Sequence, residues 1–307
     1  MRIKFSSSLQ GALMLALAAF FWGTAFVAQR VGMDAIEPVT FTAVRSFVGV
    51  AVLLPVVLIS DINAGRKPFR MDPGYRRRDL AIGGIACGVV LAVAANLQQV
   101  GIAETSAGKS GFITALYIVL VPVFGLFLKK KTPVTVWISV AIALAGMYLL
   151  CIKAGDSFAL SRADVYLLLC AACFTVHILV VDWAGSRADG VRLSCIQFAT
   201  CGAISAVICL LTEHPTVEGI LAARVPLLYT GLFSCGLAYT LQILGQKRCP
   251  PQIASLLMSM ESVFAALGGF FILHERMSAR EFIGCLLVFS AVILTQLPDL
   301  KKRPKLS

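Results

Sequence analysis

Charge is scarce in this chain. Lys, Arg, Asp and Glu make up 14% of its 307 residues against 58% hydrophobic ones, and mean hydropathy is +0.86. Soluble domains carry about a quarter charged residues, so composition excludes a water-soluble globular protein. Long polar stretches are lacking as well. The longest loop, 61–79, is too short to fold as a domain of its own. Histidine is rarer still, at three residues, and neither H-E-x-x-H nor paired intramembrane aspartates occur. A membrane-embedded enzyme would need such a constellation. Ten cysteines are present, but nearly all fall in apolar runs, where Cys behaves as a small apolar residue. Cys170 and Cys173 form a C-x-x-C with no second pair or histidine cluster to complete a ligand set, so neither a metal nor another cofactor is expected.

Long apolar runs are present from one end to the other. Spans are predicted at 9–28, 39–60, 80–101, 107–128, 134–152, 164–182, 191–211, 222–244, 251–273 and 279–297. Each approaches the 20 or so residues that cross about 30 Å of hydrocarbon as a helix. Strict two-residue alternation is missing, which excludes a transmembrane barrel. The expected fold class is all-α integral membrane, with ten transmembrane helices. Arg2 and Lys4 before the first run mimic a signal peptide, but nine further spans follow, so the segment is expected to be retained.

The net charge of +11 would suit nucleic acid in a soluble protein. Here the loop that carries each Lys and Arg decides its meaning, and no nucleic-acid partner is expected. Nineteen of them fall on one side of the ten-span topology and seven on the other, with Arg45 inside a span. The positive-inside rule then puts both termini in the cytoplasm of a multi-pass cell-membrane protein.

The chain also repeats itself. Residues 97–150 align without a gap onto 241–294, pairing Leu97 with Leu241, Gln98 with Gln242, Gly101 with Gly245, Val119 with Val263 and Gly125 with Gly269. Ala18-Ala19-Phe20-Phe21 echoes Ala171-Ala172-Cys173-Phe174. Each copy, 1–153 and 154–307, holds five spans, and an odd number makes the second copy enter from the opposite side. Two inverted five-helix repeats are thus expected. Such repeats offer two near-equivalent packings, open to opposite sides, as alternating access requires.

Several stretches together resemble the EamA-domain members of the drug/metabolite transporter superfamily. They are Phe21-Trp22-Gly23-Thr24-Ala25-Phe26, Pro38 with Phe41 and Arg45, Ala254-Ser255-Leu256-Leu257 through Glu261-Ser262-Val263-Phe264, Leu273-His274-Glu275-Arg276 and Glu281-Phe282-Ile283-Gly284. The resemblance covers nearly the whole chain. Ser262 departs from it, standing where the family usually has proline, and Lys131 stands in the first copy where Glu275 stands in the second. What it implies is a ten-helix fold around a central cavity, often an exporter of amino acids or other metabolites.

Polar residues at membrane depth are costly and face a cavity or one another. Ser110, Thr114 and Tyr117 share a helical face, and the repeat maps them onto Ala254, Met258 and Glu261. Asn96 and Gln99 share a face in the third span, as Tyr239, Gln242 and Gln246 do in the eighth. These helices, with Trp22 from the first, are expected to wall a substrate cavity. Interhelical hydrogen bonding is the structural alternative for each polar residue. Glu261, the clear mid-span carboxylate, and His177 are the candidates for ion or proton coupling. Arg45 needs an acid, a carbonyl or an anionic substrate, and a salt bridge to Glu261 is the structural alternative for that pair. Gly83, Gly84, Gly88, Gly268 and Gly269 read as helix-packing positions, and Pro55 and Pro122 as kinks. The leading expectation is a secondary carrier of small metabolites, an exporter by resemblance. A membrane enzyme and a receptor or scaffold are the alternatives; oligomeric state is open.

Overall fold

A computed structural model describes residues 7–67, 74–105, 107–129, 132–152, 160–272 and 277–301. The first described helices are α1 (Ser7–Gly32), α2 (Pro38–Asn63) and α3 (Arg77–Glu104). An interrupted rod follows, α4 (Ala107–Thr114) and α5 (Tyr117–Phe127), and then α6 (Val134–Cys151). The chain continues through α7 (Arg162–Gly185), α8 (Gly190–Thr212), the short α9 (Val217–Ala222) and α10 (Arg224–Tyr229). A π-helical segment, Thr230–Ala238, joins α10 to α11 (Tyr239–Gln246). A second interrupted rod, α12 (Pro251–Met258) and α13 (Glu261–Ile272), precedes α14 (Ala279–Lys301). No strand occurs among the described residues.

Eight of these rods are long and apolar enough to cross a membrane, counting Lys109–Phe127 and Arg224–Gln246 as one each. They coincide with the first eight predicted spans. The ninth and tenth fall on α12–α13 and α14, outside that set. The helices overrun the apolar runs by a few residues, because polar ends can be hydrogen-bonded where the apolar interior cannot. Pro38 opens α2, where its missing N–H costs nothing, and the free N–H groups of Val39 and Thr40 donate to the Glu213 carboxylate at 2.8 and 2.6 Å. Ser161 and Asp164 form a capping box on α7, and Asp189 caps α8. Both α2 and α5 run on through their internal prolines, Pro55 and Pro122.

Large apolar side chains point outward along most rods. Phe127 is 81% exposed and Leu211 79%. In water such a surface would drive aggregation; in a bilayer it is the face that acyl chains cover. Inside, α3 packs on α7 and α8, α2 on α8 and the π segment, α1 on α13, α11 and the π segment, and α6 on α14. Small residues make the crossings close: a Cβ at Gly88 would lie 2.6 Å from the Gln197 carbonyl oxygen. Ion pairs sit at rod ends, with Asp61 between Arg192 and Arg66, and Lys109 2.8 Å from Asp164. The sequence cluster His274-Glu275-Arg276 and Lys131 lie outside the described residues, as do Arg2, Lys4 and the tail after Lys301.

Candidate functional site: a polar cavity between two interrupted helices

The sequence predicts unbroken fourth and ninth spans, but both rods break, and at equivalent points. After Thr114, Leu116 N donates to Ile113 O at 3.2 Å and Ile118 N to Ala115 O at 3.0 Å. After Met258, Met260 N donates to Leu257 O at 3.3 Å and Ser262 N to Ser259 O at 3.2 Å. These three-residue steps replace the α-helical four and tighten the turn. Proline is not the common cause, since Pro122 aligns with Ala266 and the second rod breaks all the same.

Tyr117 opens α5 and Glu261 opens α13. Tyr117 Oη donates to Glu261 Oε1 at 3.0 Å, joining partners 144 residues apart in the chain. Both are buried, at 4% and 5% exposure. The carboxylate lies in the first turn of its half-helix, where the backbone N–H groups favour negative charge. Close packing of α1 fixes the second break: a Cβ at Gly23 would lie 2.5 Å from the Glu261 carbonyl oxygen.

A cavity opens beside this pair. Its free space, mouth included, is about 640 Å³. Trp22, Tyr239 and Phe198 form an aromatic wall, with the Tyr239 ring 4.8 Å from Trp22 and 5.1 Å from Phe198, both edge-on. Phe26 and Phe174 extend it. Gln98 and Gln242, aligned residues of the two copies, both line the space, as do Thr114 with Met258 and Tyr117 with Glu261. The Trp22 Nε1 donor and the Gln242 Oε1 acceptor have no hydrogen-bond partner among the described residues. Buried polar atoms rarely stay unpaired, so a polar cavity wall with orphaned groups is suited to a ligand or water that pairs them.

Other residues singled out by sequence sit elsewhere. Asn96 Nδ2 donates to Ser205 Oγ at 2.8 Å, tying α3 to α8. Gln99 Nε2 reaches the Gln29 carbonyl at 3.4 Å and Met33 Sδ at 3.2 Å. Ser110 is fully buried and does not line the cavity. His177 lies behind the aromatic wall, its Nε2 3.2 Å from Gln197 Oε1 and its ring 5.8 Å from Tyr239. Thus α3 turns Gln98, not Asn96 or Gln99, toward the space. Gln29, Ser46 and Ser234 line it too. Ser46 follows Arg45, which sequence did flag; Ser234 sits on the π segment, whose wider turn carries no sequence signature, so its facing could not be counted from a 3.6-residue period.

Arg45 lines the same cavity and donates through Nη1 to Gln29 Oε1 at 2.6 Å, with Phe41 5.6 Å away under the guanidinium. The alternative salt bridge to Glu261 is not formed; Tyr117 holds the carboxylate instead. No cluster of His, Cys, Asp and Glu suited to a metal occurs among the described residues.

The model of the EamA-like transporter family matches residues 9–152 and again residues 161–297. The chain belongs to the EamA-like transporter family. An uncharacterized transporter of Archaeoglobus fulgidus is 27% identical over 289 residues, 93% of this chain and 85% of that protein. The uncharacterized transporter YwfM of Bacillus subtilis is 27% identical over 94% of this chain and 95% of its own. The uncharacterized inner membrane transporter YedA of Escherichia coli is 24% identical over 89% of this chain and 87% of its own. A solved crystal structure shares the fold, with TM-score 0.76, 18% identity, and coverage of 95% of this chain and 98% of the other. In this multi-pass membrane transporter, Trp22, Thr114 and Gln242 bring orphaned polar atoms to the cavity lining.

Proposed function

We propose that this EamA-like transporter is a secondary carrier that moves small metabolites by alternating access, with Glu261 as its coupling carboxylate. The observation that carries the proposal is the Tyr117–Glu261 hydrogen bond, made between the two helix breaks at the cavity wall. Broken helices that meet at a buried site are the usual way for a transporter to expose binding groups at the bilayer midplane.

An inverted arrangement of ten spans, with the halves 1–153 and 154–307, has independent support. Exchanging each span with the one five later carries the α3–α7 contact onto α1–α11, α3–α8 onto the π segment with α2, α4–α7 onto α1–α12 and α5–α7 onto α1–α13. The α2–α8 and α6–α14 pairs map onto themselves, and α5–α12 maps onto α4–α13. The family's double match agrees with two copies. Cavity positions also correspond: Leu91 with Cys235, Ala95 with Tyr239, Trp22 with Phe174, Phe26 with Ile178 and Ser46 with Phe198. On α1 and α7 that register is one residue away from the sequence echo, which set Phe21 on Phe174.

The cytoplasmic placement of both termini is supported by the basic loops, and the export direction by family resemblance. Coupling follows from chemistry: a carboxyl at such a site can bind a proton or a cationic group, but not both, so one drives off the other. The test is transport by the purified protein in liposomes across a metabolite panel, at several pH values, with native protein and Glu261→Gln. Native transport that depends on pH, and a folded Glu261→Gln that has lost this dependence, is the expected result. No transport of any panel member, or an unaltered pH profile in the variant, overturns the proposal.

A further inference from the structure

Arg45 is unexplained by this mechanism. It is 6% exposed and faces the cavity. Gln29 Nε2 donates to the Ala25 carbonyl at 3.3 Å, which turns Gln29 Oε1 toward the guanidinium; Phe41 packs beneath it. Neutral partners therefore hold the side chain in place without neutralising it. Among the described residues its charge has no carboxylate within 4.0 Å: the ion pairs belong to Arg30, Arg66, Lys109 and Arg192. Glu261, the carboxylate of the cavity wall, takes its hydrogen bond from Tyr117. A guanidinium remains charged at any accessible pH, and an uncompensated charge away from bulk water is strongly unfavourable. The open space beside the guanidinium is the cavity, where the Trp22 indole offers a donor without a partner among the described residues.

Resting on the carrier reading above, we infer that Arg45 docks the carboxylate of the transported solute, and that this solute has a flat, apolar body. The planar guanidinium fork matches a carboxylate and binds it through two parallel hydrogen bonds. One cation suits a monoanion better than a phosphate dianion, and no Lys or second Arg stands among the described residues that line the space. Trp22, Phe26, Phe174, Phe198 and Tyr239 supply ring faces and edges for the body. Symmetry does not duplicate the site: in the register of the lining pairs, Arg45 corresponds to Gln197, a neutral residue engaged by His177. The guanidinium is thus contributed by the first copy without a counterpart from the second.

The test is binding by the purified full chain in nanodiscs, measured by titration calorimetry with four probes that share a phenyl group: 3-phenylpropionate, phenylalanine, phenethylamine and phenyl phosphate. The two carboxylates are expected to bind at least about tenfold more tightly than the amine or the phosphate. Arg45→Gln should weaken carboxylate binding by about 10- to 100-fold, Arg45→Lys by less because the charge remains without the fork, and Asn96→Ala not at all. If Arg45→Gln does not fold, the native ranking of the four probes and Arg45→Lys decide. Equal or tighter binding of phenethylamine or phenyl phosphate overturns the inference. So does unchanged carboxylate affinity in a folded Arg45→Gln, or no binding by any of the four. The carrier reading fails separately: a transported panel member without a carboxylate keeps the carrier and overturns only this assignment.

Discussion

Replacing Tyr117 by Phe removes one hydroxyl and almost no volume, so its effect isolates the hydrogen bond to Glu261. In soluble proteins a hydrogen bond to a charged group contributes about 1.5–3 kcal/mol. Inside membranes the average interhelical hydrogen bond is worth only about 0.6 kcal/mol, with the largest near 1.7, because the unfolded chain also finds partners there. Burial of both partners and the 3.0 Å distance place this bond toward the upper end of the membrane range. A destabilisation of about 1–2 kcal/mol is expected for Tyr117→Phe. Glu261→Gln keeps an acceptor for the hydroxyl and should cost less. A double-mutant cycle with Tyr117→Phe and Glu261→Ala, read from unfolding free energies in mixed detergent micelles, should give a coupling of about 1 kcal/mol or more. Additive single effects would falsify the claim that this bond joins the two breaks. The same Tyr117→Phe protein should also show altered transport kinetics, since the bond links helices that must move if the cavity is to change sides.

Gly23→Ala should lower stability by about 1–3 kcal/mol, because the new methyl meets the Glu261 carbonyl and α1 must shift; an unchanged melting temperature would show that α1 does not press on the break. Asn96→Ala should cost stability through its lost bond to Ser205, about 0.6–1.7 kcal/mol, while leaving substrate affinity unchanged. Gln98→Ala should do the reverse, and the two profiles exchanged would put α3 in the wrong rotation. Cysteines placed at exposed Asn63 and Glu218 in a background lacking native thiols should react with an impermeant maleimide from opposite faces of the membrane. Position 218 should label from outside and position 63 only after permeabilisation; labelling of position 63 from outside would refute the predicted orientation.

Apolar length was enough to read the class and the positions of the first eight spans, because hydrocarbon permits so few backbone arrangements. The landmarks at Trp22, Arg45 and Glu261 were legible for a related reason: a polar or aromatic residue deep in an apolar run stands out against its neighbours. Rotation about each helix axis was harder. Asn96, Gln98 and Gln99 all lie in one short stretch of α3, and periodicity alone favoured Asn96 and Gln99. Packing against α8 takes up Asn96 through Ser205, which turns Gln98 toward the cavity instead.

By itself, then, the sequence determined a multi-pass helical membrane protein, since composition and the length of each apolar run suffice for that under the constraints of a bilayer. Only the tertiary structure decided that the fourth and ninth rods break between Thr114 and Tyr117 and between Met258 and Glu261. No proline marks the second break, and the shift from four-residue to three-residue hydrogen bonds leaves no compositional trace. The partners of the buried charges were likewise decided in three dimensions. Glu261 and Arg45 are opposite charges inside spans, and sequence alone allowed them to meet. Packing gives Glu261 to Tyr117 across the breaks and Arg45 to Gln29 on α1, so that both side chains face one cavity without forming a salt bridge to each other.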